Sequence, residues 1–490
     1  MSKKVVVIGS GFSGLSAACF LAKDGYDVTL LEKNDSIGGR ARKFAEDGFT
    51  FDMGPSWYWM PEVFENFFKA FGKQVSDYYD LVRLDPSYRI YFSEEEIMNV
   101  PAKQQDLYDM FEKYEPGSSK KLDTFLNEAA YKYKVGMEEF VYKPGHNIME
   151  FADMRVLSSM FKLQMLTSIS KTIRGKFKNE KLRQLLEFPV LFLGATPQNT
   201  PALYSLMNYA DMKLGTWYPK GGMHKIIEGF ASVAEELGVK VKLNEEVKQI
   251  IVDNGIVKKV VTANHEFHCD ALVGGADYHH IEQELLEKQH RVYSPEYWDK
   301  RVMAPSSLLF YLGVNKKLKN LEHHNLFFDT DFEKHAEEIY TDPKWPSAPL
   351  FYVCCPSVTD AAVAPVGKEN VFILIPVAPD IEDTEALREN YYHMVMDRLE
   401  KISGQSIEKD VIYRRSFAHR DFKADYNSFK GNAYGLANTL MQTAFLKPKM
   451  RSKKVLNLFY TGQLTTPGPG MPPSIISGEV VAKEVAKYYK

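Results

Sequence analysis

The glycines at 9, 11 and 14, in "GSGFSG", and the acid Glu32, eighteen residues beyond the last of them, are the residues whose spacing first implies chemistry. Gly9 permits a tight turn and Gly11 lets backbone approach a pyrophosphate. Gly14 lets a helix pack closely on its strand, and Glu32 is placed to take ribose hydroxyls. Such a site needs a buried strand before the glycines and a helix whose N-terminus meets the phosphates. "KVVVI" (4–8) supplies that strand and "LSAACFLAKDG" the helix. "DVTLLE" is a second strand that delivers Glu32.

The next stretch separates a flavin dinucleotide from a nicotinamide one. No further strand–helix unit follows. Instead "KNDSIGGRARKF" places Gly38, Gly39 and Arg40 in a loop, and "GFTFDMGPSW" is an alternating strand ending at Gly54-Pro55. A glycine pair with an arginine lines a pyrophosphate or a ring edge. The competing reading is a simple turn with a solvated arginine.

The α/β pattern returns at 217–277, with an amphipathic helix and then alternating strands around the hairpin signal Asn254-Gly255. These late strands are expected to complete the sheet begun at 4–8. Val247 would stand where backbone meets an adenine. The chain closes with the strand "VLNLFYTG", the loop "QLTTPGPGMPPS" and a helix. That repeats the strand–loop–helix logic of the first motif, with Gly462, Gly470 and Met471 offered to the same ligand. Prolines fix the loop and glycines let it lie against a flat ring.

The bulk numbers are those of a multi-domain globular chain: 490 residues, 45% apolar, 26% charged, net charge −3. This balance argues against nucleic acid as a partner. Four scattered cysteines, without a CxxC pair, make neither a disulfide framework nor a zinc motif, which suits a reducing cytoplasm. The pairs His279-His280 and His323-His324 read as structural. No apolar run reaches the roughly 18 residues of a membrane span.

Between Arg155 and Arg183 stand eight basic residues opposed only by Glu180, beside an apolar face running from Met154 to Ile169. Two readings stand: an interfacial helix meeting an anionic bilayer, or a core helix with a solvated basic face.

Taken together, "GSGFSGLSAA", "LEKNDSIGGRA", "FTFDMGPSW", "YSLMNYADMKLGTWYPKGGMHKI", "DALVGGAD" and "TTPGPGMPPSIISG" resemble the flavin-dependent amine-oxidase-like superfamily. Within it they resemble the bacterial carotenoid desaturases of the phytoene desaturase type, nearly end to end. The resemblance departs at Thr466, where relatives commonly carry histidine. It implies an α/β fold: a Rossmann-like, glutathione-reductase-type FAD-binding domain, an inserted α+β substrate domain and a helical membrane-facing region. The FAD domain would take residues 1–74, 215–289 and 451–490, and the substrate domain 75–214 and 290–450. The implied cofactor is FAD, which Gly9, Gly11, Gly14, Glu32, Gly39, Arg40, Gly54, Pro55, Val247, Gly462, Gly470 and Met471 would hold.

The implied substrate is a long-chain carotenoid, most directly phytoene converted to lycopene. The alternatives are 3,4-desaturation of a 1'-hydroxycarotenoid, isomerisation, or, in another class, non-enzymatic binding of a prenyl lipid. An amine oxidase would want a different closing loop. Oxygen or a quinone would take the electrons, and the protein would sit in the cytoplasm, peripherally on the inner face of the cell membrane. "FADMRVL" offers Asp153 and Arg155 as an acid/base pair, in a region the family places near the flavin. A solvated ion pair on a helix is the competing reading.

Overall fold

The computed structural model describes residues 2–147, 150, 163–165 and 167–490. Asp153, Arg155 and most of the apolar face from Met154 lie outside the described residues.

The first buried strand, Lys4–Ile8, is the centre of a five-stranded parallel sheet. Asp27–Leu31 and then Lys240–Lys242 lie on one side, Ala271–Gly274 and then Leu458–Tyr460 on the other. Sheet covered on both faces demands near-continuous apolar strands. Val5, Val6 and Val7 are accordingly buried, as are Leu272 and Val273. Helix Phe12–Lys23 follows the first strand, and helix Met471–Tyr488 packs along it. A β-carbon on Gly478 would stand 2.6 Å from the Ser13 carbonyl oxygen, so only glycine permits that approach.

The late alternating strands divide between two sheets. Val247–Asp253, Ile256–Thr262 and Glu266–His268 form their own antiparallel sheet, turned at Asn254-Gly255 with positive φ at both residues. Their half-exposed alternation suits a sheet with one wet face, whereas the parallel sheet takes only the flanking segments.

A seven-stranded mixed sheet runs Val411–Phe417, Ser306–Val314, Glu369–Val377, Phe351–Cys354, His324–Phe327, Tyr88–Tyr91, Ile97–Val100. Strands from both long excursions thus share one sheet. Among its neighbours only His324–Phe327 and Tyr88–Tyr91 are parallel. Helix Glu385–Ser403 packs its Tyr392, Val395 and Leu399 in the same core as Phe310, Ile373 and Val353 of this sheet. No helix among the described residues is long and apolar enough to cross a membrane.

Candidate functional site

One cavity of about 850 Å³ runs from the glycine turn into an apolar chamber. Gly9, Gly11, Glu32, Gly39, Arg40, Gly54, Pro55, Val247, Gly462, Gly470 and Met471 all line it. Gly14 stands behind the turn: its β-carbon would lie 1.9 Å from the Gly9 carbonyl oxygen. Gly9 itself has φ +93°, a conformation that disfavours any side chain. At Gly11, by contrast, a β-carbon would meet nothing within 4 Å.

Two helix N-termini converge here. Gly11 precedes helix Phe12–Lys23, and Gly470 precedes helix Met471–Tyr488. Each presents the positive end of a macrodipole to the cavity, the first with backbone N–H groups from Phe12 onward, the second with that of Met471, since Pro472 and Pro473 carry none. The Ser16 hydroxyl donates to the Ile475 carbonyl at 2.7 Å and ties the two first turns together. Ser477 holds the closing loop: the Gly462 N–H and the Thr461 hydroxyl donate to its Oγ at 3.0 and 2.9 Å, and its own hydroxyl donates to the Thr466 carbonyl at 2.9 Å. The chain's two ends therefore close on one space.

Glu32 is buried and fully engaged. It accepts from the Ser10 N–H at 2.9 Å and hydroxyl at 2.6 Å, and from the Asn34 N–H at 3.0 Å and amide at 2.9 Å. A ribose hydroxyl must displace one of these donors, and the Ser10 hydroxyl is the one free to rotate. Spacing alone identified Glu32 but not Ser10 or Asn34.

Arg40 is part of the cavity wall and is not a solvated side chain. Its guanidinium donates to Ser428 Oγ at 3.1 Å and lies over the Tyr426 ring, while its Nε is buried without a hydrogen-bond partner among the described residues. Burial lowers its pKa, opposed by the charge of Asp277. Burial pushes the Asp277 carboxyl up to about 6, against the pull of Arg40 and the backbone N–H groups of His280 and Phe429. Asp277 ends "LVGGAD" and lines the cavity; its place after two glycines was the signal for it.

Lys447 is a second buried cation that sequence reading missed. It is 2% exposed, donates to Asn438 Oδ1 at 2.9 Å, and among the described residues faces no carboxylate in an ion pair. Burial pushes its ammonium down to about 7. Asn438 lines the cavity, and Gly468 of the closing loop approaches the Lys447 ammonium.

Beyond these groups the wall is mainly apolar, with Trp57, Met137, Phe140, Leu206, Leu309 and Phe445 beside Lys143 and the tyrosines Tyr204, Tyr352 and Tyr434. Thr466 lines the cavity too, its hydroxyl donating to the Pro144 carbonyl at 3.0 Å.

Four of the six described basic residues of this run are in ion pairs. Arg174 pairs with Glu180, Glu187 and Glu333, Arg183 with Glu180, Lys176 with Glu128, and Lys181 with Glu96. Lys171 and Lys178 are exposed. Counting charges along the run missed Glu187, just beyond its end on the same helix, and Glu96, Glu128 and Glu333, which the fold brings in from other segments.

Comparison with known proteins agrees with this architecture. The profile of the family described as "Flavin containing amine oxidoreductase" matches residues 12–486. A carotenoid 3,4-desaturase of Haloarcula japonica is 42% identical over 481 residues, covering 98% of this chain and 97% of the relative. A zeta-carotene-forming phytoene desaturase of Myxococcus xanthus is 30% identical over 491 residues, covering 99% and 94%. The solved cyclohexylamine oxidase of Brevibacterium oxydans superposes with a TM-score of 0.61 at 14% identity, covering 99% of each chain, and speaks for the fold alone. The chain belongs to the flavin-containing amine oxidoreductases, and within them to the carotenoid desaturase family.

Proposed function

We propose that this protein is an FAD-dependent desaturase that introduces a 3,4 double bond into a carotenoid. The continuous cavity supports dehydrogenation of a long apolar molecule: dinucleotide-binding groups stand at one end and a chamber of apolar walls opens from them. The position of attack is carried by the 42% identity to a carotenoid 3,4-desaturase, well above the 30% to a phytoene desaturase. The second reading, stepwise desaturation of phytoene, is favoured by the Myxococcus relative.

The residues fit FAD. The open space beside Gly11 admits a pyrophosphate, the orphaned Arg40 Nε offers a donor, and Gly462 to Met471 provide a backbone surface for a ring. Glu32 would hold a ribose and Val247 an adenine. When bound, FAD supplies the acceptor for a hydride, and the two electrons pass on to oxygen or a quinone.

The chain's own work is orientation and exclusion of water. The apolar wall around Trp57 and Leu309 holds the polyene beside the closing loop, with few groups able to quench a positive charge. Conjugation spreads the charge that develops as hydride leaves, so the proton lost from the neighbouring carbon needs only a weak acceptor. Asp153 would be that acceptor and Arg155 would hold it charged.

The substrate enters from a lipid surface through exposed apolar side chains at the cavity's edge. Met441 is 74% exposed and Val302 50%, joined through Gln442, which bonds the Val302 backbone at 3.0 and 2.8 Å. The adjoining segment Thr443–Leu446 lines the cavity.

The test is product analysis in hosts that accumulate either phytoene or a more conjugated carotenoid with saturated 3,4 bonds. A 3,4-desaturated product in the second host alone supports the proposal. Lycopene in the first host moves the protein to the second reading, and no new product in either host refutes both.

A further inference from the structure

The pair His323-His324 does not point to opposite sides of its strand. His323 stands just before strand His324–Phe327, and the two rings lie 4.5 Å apart, edge to face. His324 sits opposite Cys354 in the antiparallel pairing with Phe351–Cys354. All three side chains are buried, at 4%, 0% and 4% exposure. A ring nitrogen from each histidine and the Cys354 sulfur lie within 4.8 Å of one another.

The hydrogen bonds leave one atom of each ring free. His323 Nδ1 lies 2.8 Å from Thr359 Oγ1, and His324 Nδ1 lies 2.6 Å from the Tyr352 hydroxyl. Both Nε2 atoms are buried without a partner among the described residues. Two adjacent buried imidazole nitrogens without a protein partner are available to a ligand.

We propose that His323, His324 and Cys354 bind a soft metal ion, Zn²⁺ or Cu⁺, in a site separate from the cofactor turn. Two imidazoles and a thiolate select such ions over Mg²⁺ or Ca²⁺. The Thr359 and Tyr352 hydroxyl oxygens accept from Nδ1–H, which leaves each Nε2 as a lone pair toward the metal and fixes both rings. On binding, the Cys354 thiol loses its proton to solvent as the metal–sulfur bond forms; nothing is oxidised or reduced. The three atoms draw together around bonds of roughly 2.0–2.3 Å. The ion would brace the chamber wall, because Trp57 stacks on His324 at 4.2 Å and both Trp57 and Tyr352 line the cavity. Sequence spacing hid this set, since Cys354 is thirty residues from His324.

The test is elemental analysis of the full-length flavoprotein, expressed with zinc or with copper added and then desalted. One ion of zinc or copper per chain is expected. Cys354→Ser and His323→Gln should fall to trace metal while flavin content holds. Wild-type protein with only trace metal under both conditions overturns the proposal, as does full metal content in a folded Cys354→Ser variant. Should these variants fail to fold, X-ray absorption of the wild-type metal decides. Two nitrogens and one sulfur are expected, and a sulfur-free shell refutes the site.

Discussion

Gly14 lies so close beneath Gly9 that a β-carbon at 14 would stand 1.9 Å from the Gly9 carbonyl oxygen, while one at Gly11 would meet only open cavity. Two glycines of one motif therefore serve different ends. Gly14→Ala should destabilise the protein by roughly 3 kcal/mol or more through overpacking. Gly11→Val should fold and yet lose flavin, because its side chain fills the space a pyrophosphate needs. Thermal unfolding and the flavin-to-protein absorbance ratio separate the two effects. A flavin-replete Gly11→Val protein contradicts this reading of the turn.

Ser477 joins both ends of the closing loop to the last helix. Ser477→Ala leaves the Gly462 N–H and the Thr466 carbonyl without their partner in a buried site, a loss of about 1–3 kcal/mol. A lower melting temperature and faster flavin release on dilution are expected. Unchanged flavin retention would show that the loop holds its shape without this tie.

Lys447 makes a pH prediction with a definite sign. Its folded pKa is about 7 and its unfolded value is the ordinary lysine value near 10.4. Between those two pH values the unfolded chain binds more protons, so this group makes stability rise with pH across that window. Below the window the buried charge costs its full amount, about 5 kcal/mol at most. Lys447→Met apoprotein should therefore be more stable than wild type near the lower end, with the difference fading toward the upper end. Denaturant titrations across the window measure it, and parallel curves would show that Lys447 is not held as a buried charge.

Much of this site was legible in the sequence because backbone sterics write themselves into residue type. Gly9, Gly14 and Gly462 sit where φ or close approach demands glycine, and all fall in short local motifs. Arg40, Val247 and Met471 followed from what such motifs must contact. What was not legible depends on segments far apart in the chain. The ion pairs of Arg174 with Glu333 and of Lys176 with Glu128, the Lys447–Asn438 contact and the meeting of His324 with Cys354 exist only once the seven-stranded sheet and the excursions have packed. The expectation that the late strands of 217–277 complete the first sheet holds for Lys240–Lys242 and Ala271–Gly274 and not for the three strands between them, for a related reason: alternation reports one wet face, and a strand cannot say locally which sheet it joins.

Those ion pairs also shape the membrane prediction. With Arg174, Lys176, Lys181 and Arg183 already paired, lipid attachment should rest on Met441 and Val302. The double variant Met441→Gln, Val302→Ser should sediment less with lipid vesicles, while Lys171→Gln, Lys178→Gln should change little. Raising salt should have little effect on wild-type binding. Strong loss on adding salt would return the role to the basic face.

The central claim is that one cavity brings a carotenoid to bound flavin, and anaerobic reduction tests it most directly. Flavin-loaded protein is mixed without oxygen with vesicles carrying a conjugated carotenoid that has saturated 3,4 bonds, and flavin absorbance is followed while products are resolved. Bleaching of the flavin is expected, with one new carotenoid double bond for each flavin reduced and return of the oxidised spectrum on admitting oxygen or a quinone. Flavin that stays oxidised beside every carotenoid offered, phytoene included, would contradict the claim.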